Sequence, residues 1–468
     1  MQHMDARTKR LLEGPIAATL VGLAAPNIVV MGMQAAVGLI ETFFVAKLGV
    51  DALAGIALVF PVLMLFQMIS AGAMGGGILS AVARALGAGK REFAGELAWH
   101  AVAIAIALGM LTTAAVLLAG PRLYALMGGR GASLHAALLY SNLVFAAAVP
   151  LWLFNSLAAV IRGTGNMVVP ASVVAVGAVL LVPLSPLLIF GLGPFPQLGI
   201  VGGATAVVVY YVAGSCVFAV YIWSGRGVLK PSLKPARLNW RALREILRVG
   251  AVSSLVSLST NLSIGVATGF AGLIGPAAVA GYGTGARLEY LLVPLIFGLG
   301  APLAAMVGTS IGAGRRERAI RTAWIGAAIA GGLTEAIGLA AALYPHAWLG
   351  LFGTDATMLE VGAQYLRIVG PFYGFFGLGL SLYFASQGAG RLGWPLLAAF
   401  VRVVAATGGG YLALKLTSSP AGLFAALGVA LATFGVINAA AVAAGVWFRD
   451  RAAPKLTPLA AAKAACGG

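Results

Sequence analysis

The chain has 468 residues, 60% of them apolar and only 9% charged, with a formal net charge of +17. A soluble globular chain carries about 25% charged residues, so the composition excludes that class. Apolar runs of about 20 residues or more recur along the whole length, each long enough to cross a hydrocarbon core, whereas a β-barrel would show alternating stretches of about 10 residues.

In chain order, the apolar runs predict helices near 15–47, 53–83, 97–119, 136–161, 166–192, 199–224, 249–274, 278–311, 322–343, 360–387, 394–414 and 421–447. The expected fold is therefore an all-α polytopic membrane protein with twelve transmembrane helices. The first, second, eighth and tenth runs exceed the usual span, which predicts tilting or bending. Pro26, Pro61, Pro150, Pro294 and Pro302 fall inside predicted spans, and each removes a backbone hydrogen bond and permits a kink. The first run is too long for a signal-peptide core and lacks a small-residue cleavage site, so it reads as a true span. Cys216 lies in an apolar run and Cys466 in the tail, which implies no disulfide framework.

The basic residues sit in alternate loops, and that is an orientation signal rather than a nucleic-acid signal. One side carries Arg84, Lys90 and Arg91, then the stretch 225–248, then Arg315, Arg316, Arg318 and Arg321, and the other carries Lys47, Arg122, Arg130 and Lys415. This predicts cytoplasmic termini and basic loops that lie on anionic lipid. The expected divisions are a six-helix half at 1–224, a basic cytoplasmic linker at 225–248, a second six-helix half at 249–447 and a cytoplasmic tail at 448–468.

The two halves repeat each other at an offset of about 225 residues, and the repeat survives in the loops. Gly87-Ala88-Gly89-Lys90-Arg91-Glu92 returns as Gly312-Ala313-Gly314-Arg315-Arg316-Glu317, and Arg162-Gly163-Thr164-Gly165 returns as Gln387-Gly388-Ala389-Gly390. Six helices return the chain to the same side, so the repeats are parallel and relate by an axis along the membrane normal. A membrane protein built of two such halves places its site between them.

Several segments carry a family resemblance. Glu41-Thr42-Phe43-Phe44-Val45-Ala46-Lys47-Leu48-Gly49, with Asp51-Ala52-Leu53-Ala54-Gly55 and Pro61 following, resembles the first motif of the multidrug and toxic compound extrusion transporters. The loop Arg84 to Ala94, the end of the fourth helix at Asn155-Ser156-Leu157 and Arg162-Gly163-Thr164-Gly165-Asn166, and the region from Pro186 to Ala204 resemble later motifs in the same order. The resemblance implies two six-helix lobes in a V around a central cavity, a monomer in a bacterial plasma membrane, and antiport in which Na⁺ or H⁺ enters as an organic substrate leaves. Where the family often adds Asn and Asp on the fifth helix, this chain has Leu181 and Ser185; where some members place acids on the seventh and tenth helices, it has Thr260 and Phe376.

Intramembrane charge carries the remaining chemistry, because burying it is costly unless it is paired, hydrated or neutralised. Glu41, at the acidic position of the first-helix motif, and Glu289 are the candidate ion-coupling residues. Arg287 and Glu289 are two apart and do not face each other on a helix, so each needs another partner. Gln67, Asn155, Tyr210, Asn261, Tyr282, Arg287, Tyr290 and Tyr373 are candidates for the cavity lining. Glu335 and Arg402 lie at similar estimated depth and are expected to form a structural ion pair.

The expected function is cation-coupled export of lipophilic, cationic organic compounds by alternating access, with H⁺ favoured over Na⁺ because a lone Glu carries a proton unaided. A related lipid-linked oligosaccharide flippase is the second transport reading, disfavoured because only Arg287, Arg367 and Arg402 fall within spans. A membrane-embedded enzyme is the remote reading. Gly308-Thr309-Ser310-Ile311-Gly312 matches a nucleophile-elbow pattern but sits at a helix end rather than a strand-to-helix turn. No metal or organic cofactor, and no nucleic-acid partner, is expected.

Overall fold

In a computed structural model the chain is described over residues 5–417 and 419–448, without the side chains of 35, 36, 39, 277, 290 and 417. The expected tail at 448–468 thus lies outside the described residues beyond its first position. A short helix α1 (Ala6–Glu13) leads into α2 (Ile16–Ala46). The second span is continuous: α3 (Val50–Gln67) passes through a π-helical segment at Met68–Met74 into α4 (Gly75–Gly87). Then come α5 (Arg91–Leu126), the pair α6 (Gly131–Ala146) and α7 (Ala148–Gly163), α8 (Val168–Phe190) and α9 (Ile200–Trp223). The second half comprises α10 (Trp240–Ile274), α11 (Pro276–Gly312), α12 (Arg316–Leu343), the single turn α13 (Pro345–Leu349), the pair α14 (Ala356–Val369) and α15 (Tyr373–Ala389), α16 (Gly393–Thr417) and α17 (Pro420–Ala443). Among the described residues, eleven helices are long and apolar enough to cross a membrane, or twelve when α6 and α7 count as one bent span.

The regular helix is interrupted at matching places in the repeat, sharply in the first half and without a break of the span in the second. Helices α6 and α7 meet at an angle of 51° around Ala147. Pro150, four residues beyond Ala146, has no N–H to continue the ladder and its ring crowds the preceding turn. In the second half α14 and α15 are joined by a 3₁₀ turn at Gly370–Phe372, where Pro371 stands at the first turn. Several spans outrun their predicted ends: α5 begins at Arg91 and α10 at Trp240, because helix continues into polar surroundings where hydropathy no longer marks it.

The halves pack alike. Helix α5 against α7, α8 against α9, and α3 against α6 in the first half return as α12 against α15, α16 against α17, and α11 against α14 in the second. Each half encloses its own apolar cluster, around Ile78, Leu97, Trp152 and Phe154 in one and Leu292, Tyr365, Tyr373 and Phe424 in the other.

The lobes meet along α2, α4, the π segment, α10, α11 and α15. Contact is tightest toward the end that bears the basic loops, where Gly87 lies on the backbone of Thr309 and Gly312 on the carbonyl of Arg84. Toward the opposite end, Gly32 and Gly38 of α2 and Gly265 and Gly269 of α10 face open space. The two lobes thus form a V that is closed at the basic end.

Candidate functional site

The first-lobe site is built on the half of α2 farther from the basic end. Glu41 is half-buried there, and its Oε1 is buried with no hydrogen-bond partner. Tyr140 of α6 and Tyr211 of α9 lie within electrostatic reach of its carboxyl. Tyr210, the neighbour of Tyr211, lies near Gln34 and within reach of Arg162, whose Nε is also buried without a partner.

From Tyr211 a polar line runs toward the seam between the lobes. The Tyr211 hydroxyl donates to Gln67 Oε1 (3.5 Å). Asn155 Nδ2 donates to the same oxygen (3.2 Å) and to Ser70 Oγ (2.8 Å). Gln67 and Ser70 flank the start of the π segment, whose wider turn reorients side chains relative to a regular helix. Nothing in the apolar pattern of this span marks the π turn, so Ser70 is not among the expected site residues; Tyr140 and Tyr211 lie on other helices, and which face they turn to Glu41 is not legible in the sequence.

The second lobe treats its acid differently. Glu289 faces Arg402 of α16, with Oε1 3.7 Å from Nη2, and accepts from the Tyr365 hydroxyl at 3.4 Å. The Arg402 guanidinium also lies over the rings of Phe376 and Phe434, each 5.6 Å from its centroid. Glu289, Arg402, Tyr282, Tyr365 and Ser263 line a cavity of about 30 Å³, room for a water or two.

The expected Glu335–Arg402 pair is corrected: Arg402 takes Glu289, and Glu335 accepts from the backbone N–H of Gly374 at 2.7 Å. Similar depth does not place two side chains on facing sides of their helices.

The remaining expected residues disperse. Arg287 is exposed and stacks 5.1 Å over Phe352, away from Glu289. Tyr373 is fully buried and Tyr282 nearly so, inside the second lobe, with Tyr282 edge-on to Tyr365 at 5.4 Å. Asn261 belongs to the seam, donating to Ser257 O (2.9 Å) and approaching Met68 Sδ across the lobes (3.7 Å). The side chain of Tyr290 lies outside those described. Among the described residues, no group of three or more His, Cys, Asp or Glu side chains is placed to hold a metal ion.

A profile of the MatE family matches residues 26–187 and 253–412, one segment in each half. The chain belongs to the MatE family. Among curated relatives it is 27% identical to an FAD transporter of Shewanella oneidensis, over 80% of this chain and 82% of the relative. It is 25% identical to the probable multidrug resistance protein NorM of Thermotoga maritima, over 82% of each. Among solved structures it superposes on a MOP superfamily transporter from Pyrococcus furiosus with a TM-score of 0.86 and 24% identity, covering 95% of this chain and 99% of that one. A MATE family multidrug resistance transporter in an outward-facing conformation gives a TM-score of 0.83 at 24% identity, covering 93% and 98%. This MatE protein is thus an integral membrane protein with the family's two-lobe fold.

Proposed function

We propose that this MatE protein exports small organic molecules by alternating access, driven by a cation bound at Glu41, with H⁺ as that cation. The observation that carries the reading is the asymmetry between the lobes. Glu289 has a fixed counter-charge in Arg402, whereas Glu41 has a buried oxygen with no partner. An unpaired intramembrane carboxylate is costly until something neutralises it. Na⁺ prefers several oxygen ligands, whereas a lone carboxyl takes up a proton unaided, so a proton is the better match.

With the basic loops assigned to the cytoplasm by the positive-inside rule, the V opens outward. Protonation of Glu41 would then favour release of substrate to the outside, provided the proton binds the two states differently. Lipophilic substrates with a positive charge are the proposed cargo, the charge being matched to Glu41. Several relatives are named for multidrug resistance or export, and one for FAD transport. The flippase reading loses ground because Arg402 is neutralised and Arg287 faces Phe352. The protein acts as a monomer in the plasma membrane, without an organic cofactor.

The test is efflux from proteoliposomes of a fluorescent lipophilic cation, and of FAD, under a pH gradient or a Na⁺ gradient imposed separately. Wild type should respond to the pH gradient and Glu41→Gln should not. If Glu41→Gln left pH-driven efflux untouched, the coupling assignment would be wrong. Efflux driven by Na⁺ alone would replace H⁺ with Na⁺.

A further inference from the structure

Helix α1 belongs to the first lobe by sequence but is held by the second. Its last carbonyls have no partners within the helix. Arg318 of α12 takes that of Leu11 with two donors, Nε at 3.1 Å and Nη2 at 3.0 Å, and Nη2 also reaches the carbonyl of Gly14 at 2.6 Å. Arg315 donates to the carbonyl of Leu12 at 2.8 Å and lies 3.6 Å from the Glu13 carboxylate. Cations at a helix C-terminus also meet the negative end of its dipole.

On its other side α1 grips the first lobe. Leu11 is buried and presses on Gly165, where an added Cβ would sit 2.7 Å from Leu11 Cδ1. Arg7 donates to the Tyr221 hydroxyl at 3.4 Å. The helix therefore bridges the seam at the closed end of the V.

The repeat does the same thing with different chemistry. The counterpart of Arg318 at the 225-residue offset is Phe93, over which Arg241 of α10 lies at 5.8 Å. In each half, the helix after the Gly-Ala-Gly loop touches the entry to the other half's first span. On the α1 side the contact is made by charge-assisted hydrogen bonds from Arg315 and Arg318, which are roughly twice as strong as neutral ones.

We propose that α1 is a latch on the basic end of the transporter, and that this end opens only when Leu11, Leu12 and Gly14 leave Arg315 and Arg318. The inference rests on the alternating-access reading above. An eight-residue helix is marginal by itself, so α1 loses its template when it leaves those arginines.

The experiment is pulsed electron–electron resonance between spin labels at Lys90→Cys and Gly393→Cys, one on each lobe at this end, with Cys216 and Cys466 replaced by Ser. Distances are recorded at several pH values with and without a lipophilic cation. Wild type should show a short and a long distance. Arg315→Gln with Arg318→Gln should raise the long-to-short ratio by roughly tenfold, the scale expected from losing two or more charge-assisted bonds. Leu11→Ala, which loosens the other side of α1, should raise it too. Arg321→Gln removes an equivalent charge from the same helix, where Arg321 bonds Glu317 at 2.6 Å within α12, and should leave the ratio as in wild type. Unchanged ratios in both α1 variants, with both distances present in wild type, would overturn the latch. A single distance in wild type under every condition would overturn alternating access, and the latch with it.

Discussion

Gly87 lies so close to the backbone of Thr309 that a Cβ has no room between them. The relation repeats under the internal symmetry: Gly312, the counterpart of Gly87, lies on the carbonyl of Arg84, the counterpart of Thr309. Arg84 then clasps the seam with its side chain, donating to Gly388 O at 3.0 Å and to Glu245 at 3.1 Å. A methyl group at either glycine meets backbone, which cannot swing aside as a flexible side chain can. Gly87→Ala and Gly312→Ala should each hold the basic end ajar and slow transport about tenfold or more, the rate cost of roughly 1.4 kcal/mol. Gly393→Ala, where a Cβ meets nothing within 4 Å, should transport like wild type. Initial efflux rates at matched protein content decide it.

These glycines show how far the sequence reaches. The Gly-Ala-Gly loops are conspicuous as a repeat, and the repeat with its apolar runs is enough to read the span order and the two parallel halves, while the two-lobe V is what the family resemblance implies. Those features depend on hydropathy and on the positions of basic residues, both one-dimensional. Why the glycines are needed is not legible, because it depends on which backbone lies opposite. The same gap explains the ion pair. Depth along a span can be counted in residues, but the direction a side chain faces depends on helix rotation. Depth suggests Glu335 as the partner of Arg402, and packing places Glu289 there instead. Helix α1 is not legible for another reason: it is too short and too polar to register as a span.

The Glu289–Arg402 pair is deep in the second lobe, with side chains 19% and 8% exposed. Removing one member of such a pair strands the other charge, which costs about 3–5 kcal/mol, whereas replacing both by apolar residues of similar size is often neutral. Arg402→Met should therefore lower the melting temperature of the detergent-solubilised protein markedly, and Glu289→Leu should do likewise. The double variant should recover most of the loss. Because Glu41, not Glu289, is the proposed coupling acid, the double variant should also keep pH-driven efflux. Loss of coupling in a stable double variant would move the coupling role to the second lobe.

Glu335 stabilises a different feature, the restart of the tenth span. Helix α15 begins at Tyr373 after the 3₁₀ turn, so the N–H of Gly374 is one of the donors a new helix leaves unpaired. The Glu335 carboxylate accepts it at 2.7 Å, from a neighbouring helix rather than from a local cap, and places negative charge where the helix dipole favours it. Glu335→Ala should cost about 1 kcal/mol, the low end of the penalty for leaving a donor unmade, because this one is only partly buried. Glu335→Gln, which keeps an acceptor but loses the charge, should cost less. The decisive readout is coupling. Glu335→Ala and Arg402→Met act on separate partners, so their losses should add within about 0.5 kcal/mol. Glu289→Leu and Arg402→Met share one interaction and should depart strongly from additivity. A large coupling energy between Glu335 and Arg402 in thermal or denaturant unfolding would restore the pair that depth alone had suggested.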